Sequence, residues 1–516
     1  MRFSERCTDA WRRVSRRWRH FTGDRRGAVA IVFVFALIPM VAAGGAAIDI
    51  SRAYLVKQRL GMALDAAGLA VGSSTGDQAQ LEAVMQRYFD ANYPAHEIGV
   101  PATPTMTIVD NTITLTATAD VNATLMSVLG VHNITVAENS TIVREVKGME
   151  VVLVLDNTGS MRHSGKIGAL RTAARDLVDI LFGSQAFPPN LKVAMVPYVT
   201  TVNIGPGNIA LTDQAGTALY NGANMTGKPN HHTLFADLGV PWKGCVEARP
   251  APLDVQDTPP TPGVPNSYWV PYFWADEPDN DSDTNNDYMD DDGGGGFFTR
   301  QERRSKYIDQ AATASIDETP QSTSGPNKAC PQQIVPLTNN RDGLFAEIAA
   351  MDAWRNSGTN GALGLIWGLR VISPGVPYTE GTGYNDDANV KAIIMLTDGV
   401  NQVCCQGDTP NLSDYSGYGF LHEGRLGTTD RIAAEDEVDD KFTDVCNLIK
   451  SINPYPDPKH IRLYTITFQV TSSSLRQLYE NCATTPAMYF NSPSNAELQT
   501  VFQEIAQELS NLRIGS

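Results

Sequence analysis

The chain is short of positive charge. Its 516 residues include 40 lysines and arginines against 57 aspartates and glutamates, which gives a formal net charge of −17. Arginines are concentrated in the first 26 residues, so the rest of the chain is more acidic still. We therefore do not expect the protein to bind nucleic acid, because such binding needs a broad basic surface.

Several signatures of zinc binding and catalysis are also missing. No two cysteines are spaced as CxxC, which argues against a zinc site built on such pairs. Ser160 does not lie in a GxSxG turn, which disfavours a serine hydrolase. Two residues after Asp156 stands Thr158, where a haloacid-dehalogenase-type phosphatase has a second aspartate as its acid/base. These observations disfavour the zinc-site, serine-hydrolase and haloacid-dehalogenase interpretations, and a metal-dependent phosphohydrolase is kept as the enzymatic alternative.

One long uncharged stretch is present near the N-terminus. It runs from Ala28 to Ile48 and has the length of about 20 residues that a helix needs to cross a membrane. Basic residues precede it and Asp49 follows it, which places the N-terminus in the cytoplasm by the positive-inside rule. We predict a basic cytoplasmic segment at 1–26 and a transmembrane helix with its extension at 27–72.

A cleavable export signal is the alternative to a retained anchor. Arg25 and Arg26 suit twin-arginine export, and the small residues VAAGG at 41–45, within the apolar stretch, could form a cleavage site. The acidic run from Asp279 to Asp290 has loose calcium-loop spacing, although it lacks the sixth-position glycine and the final glutamate. In this alternative the chain is an exported calcium-binding surface protein.

Seven cysteines fit the predicted topology. Cys7 falls in the reducing cytoplasm, whereas the other six fall outside, where disulfides persist: Cys245, Cys330, Cys404, Cys405, Cys446 and Cys482. Spacing alone leaves every pairing of these six open. We predict the pairs Cys245–Cys330 and Cys446–Cys482, because each flanks one segment.

The order of elements predicts an α/β fold after a small N-terminal region. Residues 73–147 include alternating β-branched and polar residues and read as a small α+β region. From residue 148, apolar strands such as 149–155 and 390–397 alternate with helices such as 166–183 and 361–372. This alternation predicts a doubly wound, mainly parallel, Rossmann-like sheet in the domain 148–516. The Pro-, Gly- and Asp-rich segment at about 205–335 reads as a long insertion at its edge.

Hard oxygen donors lie at the ends of three of the predicted elements. Asp156, Thr158 and Ser160 follow the first strand, Thr359 precedes a helix, and Asp398 ends the strand at 390–397. Ligands of doubly wound sheets bind outside the carboxyl ends of the strands, so we expect these side chains to converge. Two carboxylates and three hydroxyls suit Mg²⁺, with Mn²⁺ or Ca²⁺ as alternatives.

The segments "DNTGSM", "GTN" and "LTDG" closely resemble the metal-ion-dependent adhesion site of von Willebrand factor type A domains. The resemblance implies that Asp156, Thr158, Ser160 and Thr359 are metal ligands and that Asp398 contributes directly or through water. It also implies that a partner protein supplies an acidic group to the metal. Thr158 stands where the family has serine, which keeps the hydroxyl.

The N-terminal segment "RRGAVAIVFVFALIPMVAAGGAAIDISRAYLVKQRLGMALDAAGLA" resembles TadE/TadG-like proteins of Flp (tight-adherence) pilus assembly. In longer TadG-like members a type A domain follows. The resemblance implies a single-pass protein of the bacterial inner membrane, with its bulk in the periplasm or at the cell surface. Its expected partners are pilus-assembly and secretion components, and its expected role is assembly or adhesion rather than catalysis.

Overall fold

A computed structural model describes residues 26–74, 78–94, 98–109, 112–143, 147–212, 230–264, 266–279, 286–308, 316–321, 324–355, 358–404 and 409–514. The predicted basic segment therefore lies, apart from its last residue, outside the described part of the chain. The described residues form two compact units. The first reaches Val146, and the second runs from Lys147 to Ile514.

A long helix opens the first unit. Helix α1 spans Arg26–Gly72, and helix α2 spans Gln78–Asn92. Among the described residues, α1 is the one helix that is long and apolar enough to cross a membrane. Its first half exposes large apolar side chains such as Phe33, Phe35 and Ile38. An exposed apolar surface on one uninterrupted helix fits a single-pass membrane anchor.

The second half of α1 packs on an antiparallel sheet of four strands. These are β1 (Val100–Pro101), β2 (Thr105–Val109), β3 (Thr112–Asn122) and β4 (Asn133–Val143). Strand β3 is central, because it pairs with each of the other three. Every second residue of β3, from Ile113 to Val121, is buried against α1 and α2. This period of two is the alternation that the sequence shows in the same segment.

The second unit is built around a nine-stranded sheet. Its strands are β5 (Gly148–Asp156), β6 (Leu191–Tyr198), β7 (Val202–Asn203), β8 (Cys245–Glu247), β9 (Val270–Pro271), β10 (Val335–Thr338), β11 (Asn389–Thr397), β12 (Arg462–Phe468) and β13 (Tyr489–Ser492). The order is β13-β12-β11-β5-β6-β7-β8-β9, and β10 pairs with β6. The five strands from β13 to β6 are parallel to one another. The predicted doubly wound, mainly parallel α/β fold is confirmed.

Helices cover both faces of this sheet. They are α3 (Lys166–Phe182), α4 (His231–Leu238), α5 (Phe297–Gln301), α6 (Ser305–Ile308), α7 (Arg341–Ala350), α8 (Gly361–Ile372), α9 (Arg431–Ser451), α10 (Ser473–Cys482) and α11 (Asn495–Ile514). Helices α3, α7 and α11 share one core, and α8, α9 and α10 share the other. Successive residues of β5 enter alternate cores, Val152 and Val154 on one face and Leu153 and Leu155 on the other. Burial on both faces explains why this strand is apolar throughout.

The segment between β6 and β10 extends the sheet at one edge. It supplies β7, β8 and β9, and aromatic side chains such as Trp269 and Phe273 pack in the same core as α8. A disulfide joins Cys245 to Cys330 across this segment, and a second joins Cys446 to Cys482. Both predicted pairs are confirmed. Cys404 is also disulfide-bonded, whereas Cys405 lies outside the described residues.

Helix α8 lies very close to the sheet because two of its residues are glycines. A Cβ atom on Gly364 would lie 2.7 Å from the ring of Tyr198, and one on Gly368 would lie 2.6 Å from a methyl of Val154. Real Cβ atoms do not approach other atoms so closely, so a side chain at either position would push the helix away. The two glycines therefore set the distance between α8 and strands β5 and β6.

Substitution of Gly364 tests this close approach. Gly364→Ala should lower the free energy of unfolding by about 2 kcal/mol, because an overpacked core forces side chains out of position. Gly168→Ala is the matched control, since Gly168 is an exposed helical glycine in α3 with nothing near its added Cβ. The control should be neutral or stabilising by up to ~1 kcal/mol. Urea unfolding of the two variants, compared with the native chain, measures the difference, and equal stability of the two would contradict the packing account.

Candidate metal-ion site

The candidate site lies where two neighbouring parallel strands end. Asp156 is the last residue of β5, and Asp398 directly follows β11. Since β5 and β11 pair in parallel, their carboxyl ends meet at one edge of the sheet. The side chain of Asp156 is completely buried, and Asp398 is only 6% exposed. Two carboxylates are thus held side by side away from solvent.

Four hydrogen bonds hold the Asp156 carboxylate in place. The backbone N–H of Thr158 donates to Oδ1 at 2.8 Å. The hydroxyl of Thr397 donates to Oδ2 at 3.0 Å, and the Tyr198 hydroxyl and the Asp398 N–H both donate to it at 3.3 Å. These donors belong to the ends of β6 and β11 and to the loop after β5. The orientation of this carboxylate is therefore set by three strands at once.

A series of side-chain oxygens leads from Thr158 to Asp398. The hydroxyl oxygens of Thr158 and Ser160 lie 3.0 Å apart, and the Ser160 hydroxyl donates to Asp398 Oδ1 at 2.5 Å. Ser160 belongs to a 3₁₀ turn, Gly159–Gly165, that follows β5 directly. The structure thus brings four of the five expected residues together: Asp156, Thr158, Ser160 and Asp398.

Thr359 is placed at the same edge by backbone contacts. Its N–H donates to the Gln402 carbonyl at 3.0 Å and its own carbonyl accepts from Gln402 at 2.9 Å, just beyond β11. The next residue, Asn360, donates to the carbonyl of Val199 at the end of β6. Among the described residues, however, the Thr359 hydroxyl makes no hydrogen bond to Thr158, Ser160 or Asp398. Its backbone lies at the site edge, and its role as a ligand stays a prediction.

A lysine that sequence reasoning missed neutralises part of the site. Lys166 Nζ lies 2.8 Å from Asp398 Oδ2, and the lysine side chain is only 12% exposed. Lys166 is the first residue of α3, so the turn that places Ser160 also delivers this ammonium group. Its position ten residues after Asp156 in the same segment is the only signal in the sequence.

The buried position of Asp156 and the charge of Asp398 beside it disfavour the ionised form of Asp156. Burial, and after it the negative charge of Asp398, raise the pKa of Asp156 to about 6, while hydrogen bonds from Thr158 and Thr397 act in the opposite direction. Burial and the charge of Asp156 also raise the pKa of Tyr198 well above its usual value. Tyr198 therefore remains a protonated donor, and the carboxylate pair is stabilised by any cation placed beside it.

The donor set fits a hard divalent cation. Within the described ranges, no group of three or more His, Cys, Asp or Glu side chains could hold a metal ion. A metal at this edge would therefore depend on hydroxyl oxygens in addition to the two carboxylates. Oxygen donors without sulfur or imidazole suit Mg²⁺, Mn²⁺ or Ca²⁺. The contact between Ser160 and Asp398, beside the buried Asp156, supplies such donors in one place.

Comparison with protein-family models gives a match over α1. Residues 27–74 match the family described as Flp pilus-assembly TadE/G-like. This match covers the predicted anchor and its extension and does not reach the second unit. No curated protein matches the chain.

Several solved structures are similar to this chain at low identity. The pilus adhesin SpaC from Lactobacillus rhamnosus GG is 11% identical with a TM-score of 0.30; the match covers 79% of this chain and 34% of SpaC. The vWF domain of the type V pili tip protein Mfa5 from Porphyromonas gingivalis is 10% identical with a TM-score of 0.34, covering 70% of this chain and 95% of that one. Proximal thread matrix protein 1 from the mussel byssus, with a zinc occupied MIDAS motif, is 9% identical with a TM-score of 0.29, covering 72% and 47%. This chain thus spans about a third of the length of SpaC.

Removal of the Lys166 charge tests the electrostatics of the site without metal. Lys166→Ala should lower the free energy of unfolding by about 3 kcal/mol at pH 8 in EDTA, because it leaves the buried Asp398 without its cation. When folding raises the pKa of an acid, the charged acid lowers the free energy of unfolding at pH values above that pKa. This cost disappears as pH falls and the acid becomes protonated. Loss of the ammonium leaves Asp398 unpaired beside Asp156, which should raise the pKa of Asp156 further above its native value of about 6. Only the variant carries this extra cost, so the deficit should shrink between pH 8 and pH 5.

Lys166→Arg keeps the charge and is the control for this measurement. Its stability should follow that of the native chain across the same pH range. A pH-independent deficit in Lys166→Ala would show that the lysine acts only through packing.

Proposed function

We propose that this chain is a membrane-anchored protein of pilus assembly or adhesion that binds its partner through a divalent cation. The observation that carries this proposal is the cluster of Thr158, Ser160 and Asp398 oxygens beside the buried Asp156. The match of residues 27–74 to the TadE/G-like family supports the pilus context. The length and apolar surface of α1 support a single-pass membrane anchor. We propose that it lies in the bacterial inner membrane with the N-terminus in the cytoplasm, because basic residues precede it.

The proposed metal ligands are Asp156, Thr158, Ser160, Thr359 and Asp398, and the preferred ion is Mg²⁺, with Mn²⁺ or Ca²⁺ as substitutes. With few charged ligands, such an ion stays electrophilic and accepts a carboxylate from outside. The chain's own residues orient the donors: Tyr198 and Thr397 fix Asp156, and Ser160 fixes Asp398. Lys166 balances the charge of Asp398 in the absence of metal and competes with the ion for that carboxylate.

The proposed partner is a protein that presents an acidic side chain. Because the second unit is acidic overall, a negatively charged partner gains little from its surface in general. Attraction to the cation at the sheet edge is then the main source of specificity. Components of the pilus or of its secretion machinery are the proposed source of that acidic side chain.

The environment of Asp156 supports binding rather than hydrolysis. The Asp156 carboxylate is oriented by the Thr158 N–H and the Thr397 hydroxyl, and neither of these donors is a carboxylic acid. Thr158, which occupies the place of an acid/base aspartate, instead contacts Ser160. We therefore propose that the site holds a metal and carries out no phosphoryl transfer.

Loss of metal binding in single variants tests the proposed ligands. The full chain in lipid nanodiscs should bind one Mg²⁺ or Mn²⁺ in calorimetry. Asp156→Ala should abolish this binding, and Thr359→Ala should weaken it about tenfold or more, because each removes an oxygen ligand. Asp179→Ala and Thr172→Ala, on exposed positions of α3, are the matched controls and should bind as the native chain does. Absence of binding to the native chain, or equal binding by Asp156→Ala, would contradict the proposal.

The raised pKa of Asp156 predicts how metal binding depends on pH. A metal ligand must be deprotonated, and the pKa of Asp156 is about 6 in the metal-free protein. The affinity for Mg²⁺ should therefore be constant above pH 7 and fall by up to about tenfold per pH unit below pH 6. Calorimetric titrations at pH 5, 6, 7 and 8 measure this. An affinity that is unchanged between pH 7 and pH 5 would exclude Asp156 as a ligand.

A further inference from the structure

Asp49 binds a loop of the first unit to the end of the apolar stretch of α1. Its Oδ1 accepts a hydrogen bond from the backbone N–H of Thr124 at 3.1 Å, and its Oδ2 accepts those of Leu125 and Met126, each at 2.8 Å. Asp49 itself is buried, with 1% exposure. These three N–H groups belong to the β3–β4 loop, residues 123–132, which joins two strands of the antiparallel sheet. The loop is therefore fixed to α1 at the residue directly after the uncharged stretch 28–48.

The loop also extends past Asp49 along the uncharged stretch. A Cβ atom on Gly45 would lie 2.6 Å from the Cβ of Leu125, so the leucine packs directly on this glycine. Gly45 is buried, whereas its neighbours Ala43, Gly44 and Ala47 are exposed. Gly45 lies three residues inside the stretch that ends at Ile48, which is about 5 Å along a helix that rises ~1.5 Å per residue. Part of the loop thus lies at the depth of the outermost turn of the apolar segment.

The composition of the loop suits that depth. It contains five large apolar residues in the sequence "TLMSVLGV" (124–131), and no Asp, Glu, Lys or Arg occurs from Val121 to Ala137. Leu125 is 40% exposed and Val131 is 38% exposed, so apolar surface remains uncovered near both ends of the loop. An exposed apolar loop is unusual on a soluble unit but normal at a membrane interface.

The backbone of the loop is adapted to a medium with little water. Asp49 satisfies three of its N–H groups, and the carbonyls of Ser127 and Met126 accept those of Gly130 and Val131. The Ala123 N–H donates to the His132 carbonyl, which closes the base of the loop. Unsatisfied backbone groups are costly where water is scarce, so these hydrogen bonds suit a loop that lies at the membrane interface.

We propose that the β3–β4 loop inserts into the outer interface of the bilayer that α1 spans. The inference rests on the anchor part of the proposed function and is independent of the metal site. The loop is bound at Gly45 and Asp49, where the apolar stretch of α1 leaves the hydrocarbon. Because the exposed apolar surface of the loop continues that of α1, lipid is the partner that covers it. The first unit then has a second membrane attachment, which orients its sheet relative to the membrane surface.

A fluorophore whose emission depends on its surroundings tests this depth in the full chain. Val131→Cys is made in a Cys7→Ser background, labelled with NBD, and reconstituted into phosphatidylcholine/phosphatidylglycerol vesicles. Nitroxide-labelled lipids then quench the label from either a shallow or a deep acyl-chain position. We expect at least twofold stronger quenching at residue 131 by the shallow nitroxide than by the deep one, together with blue-shifted emission.

Two control positions make the result decisive. Val109→Cys places the label on an exposed residue at the other end of the sheet, where Val109 of β2 pairs with Thr112. Thr112 is the first residue of β3, and the length of this 11-residue strand, about 36 Å, separates it from the β3–β4 loop. It should be quenched by neither lipid. Val34→Cys, in the exposed apolar part of α1, should be quenched most strongly by the deep nitroxide.

Each outcome has one interpretation. A label at residue 131 that is as poorly quenched as the label at residue 109, with deep quenching at residue 34, overturns the loop proposal and leaves the anchor intact. Blue-shifted but unquenched emission at residue 131 means that protein covers the loop, which also overturns it. Absence of quenching at residue 34 overturns the anchor itself. Asp49→Asn should reduce quenching at residue 131 at least twofold without changing residue 34, because it weakens the attachment of the loop to α1.

Discussion

The burial of two carboxylates at the ends of adjacent parallel strands is the constraint on which the site depends. Asp156 and Asp398 end up together because β5 and β11 are neighbours in the sheet, and the apolar core on both faces keeps solvent away from them. Their mutual repulsion must be balanced by a cation or a proton. In the metal-free chain, the ammonium of Lys166 balances the charge of Asp398. Burial and the neighbouring charge of Asp398 raise the pKa of Asp156, so that this carboxyl takes up a proton more readily. The divalent ion that we propose at the sheet edge would balance both carboxylates more strongly, and it would add an open coordination position for a partner.

Much of this arrangement was predictable from local sequence. The two-sided apolar strands, the helical spacing of α3 and α8 and the aspartates at the strand ends are local patterns, and they predicted the parallel sheet and the convergence of Asp156 with Asp398. The pairing of cysteines across single segments was also correct. The sheet and the convergence of the two aspartates were predictable because they depend on periodicity and on the rule that parallel strands end at one edge.

Other features depend on tertiary contacts that no local pattern encodes. Lys166 reaches Asp398 only because the 3₁₀ turn after β5 folds back, and Tyr198 reaches Asp156 only because β6 lies beside β5. His231 is a polar residue in a Pro- and Gly-rich segment, yet it is buried, with Nδ1 hydrogen-bonded to the Pro271 carbonyl at 2.6 Å. The segment between β6 and β10 places it there by adding β8 and β9 to the sheet. Asp49 of α1 is a similar case. In the sequence it only marks the end of the apolar stretch, whereas in the structure its carboxylate binds the β3–β4 loop, about 75 residues further along the chain.

Diffraction from crystals soaked in Mn²⁺, recorded at the manganese absorption edge, tests the central claim most directly. We expect one anomalous peak at the carboxyl end of β5, at about 2.1 Å from a carboxylate oxygen of Asp156 and from the hydroxyl oxygens of Thr158, Ser160 and Thr359, with the ammonium of Lys166 displaced from Asp398. A peak elsewhere, or no peak while Lys166 stays bound to Asp398, would contradict it.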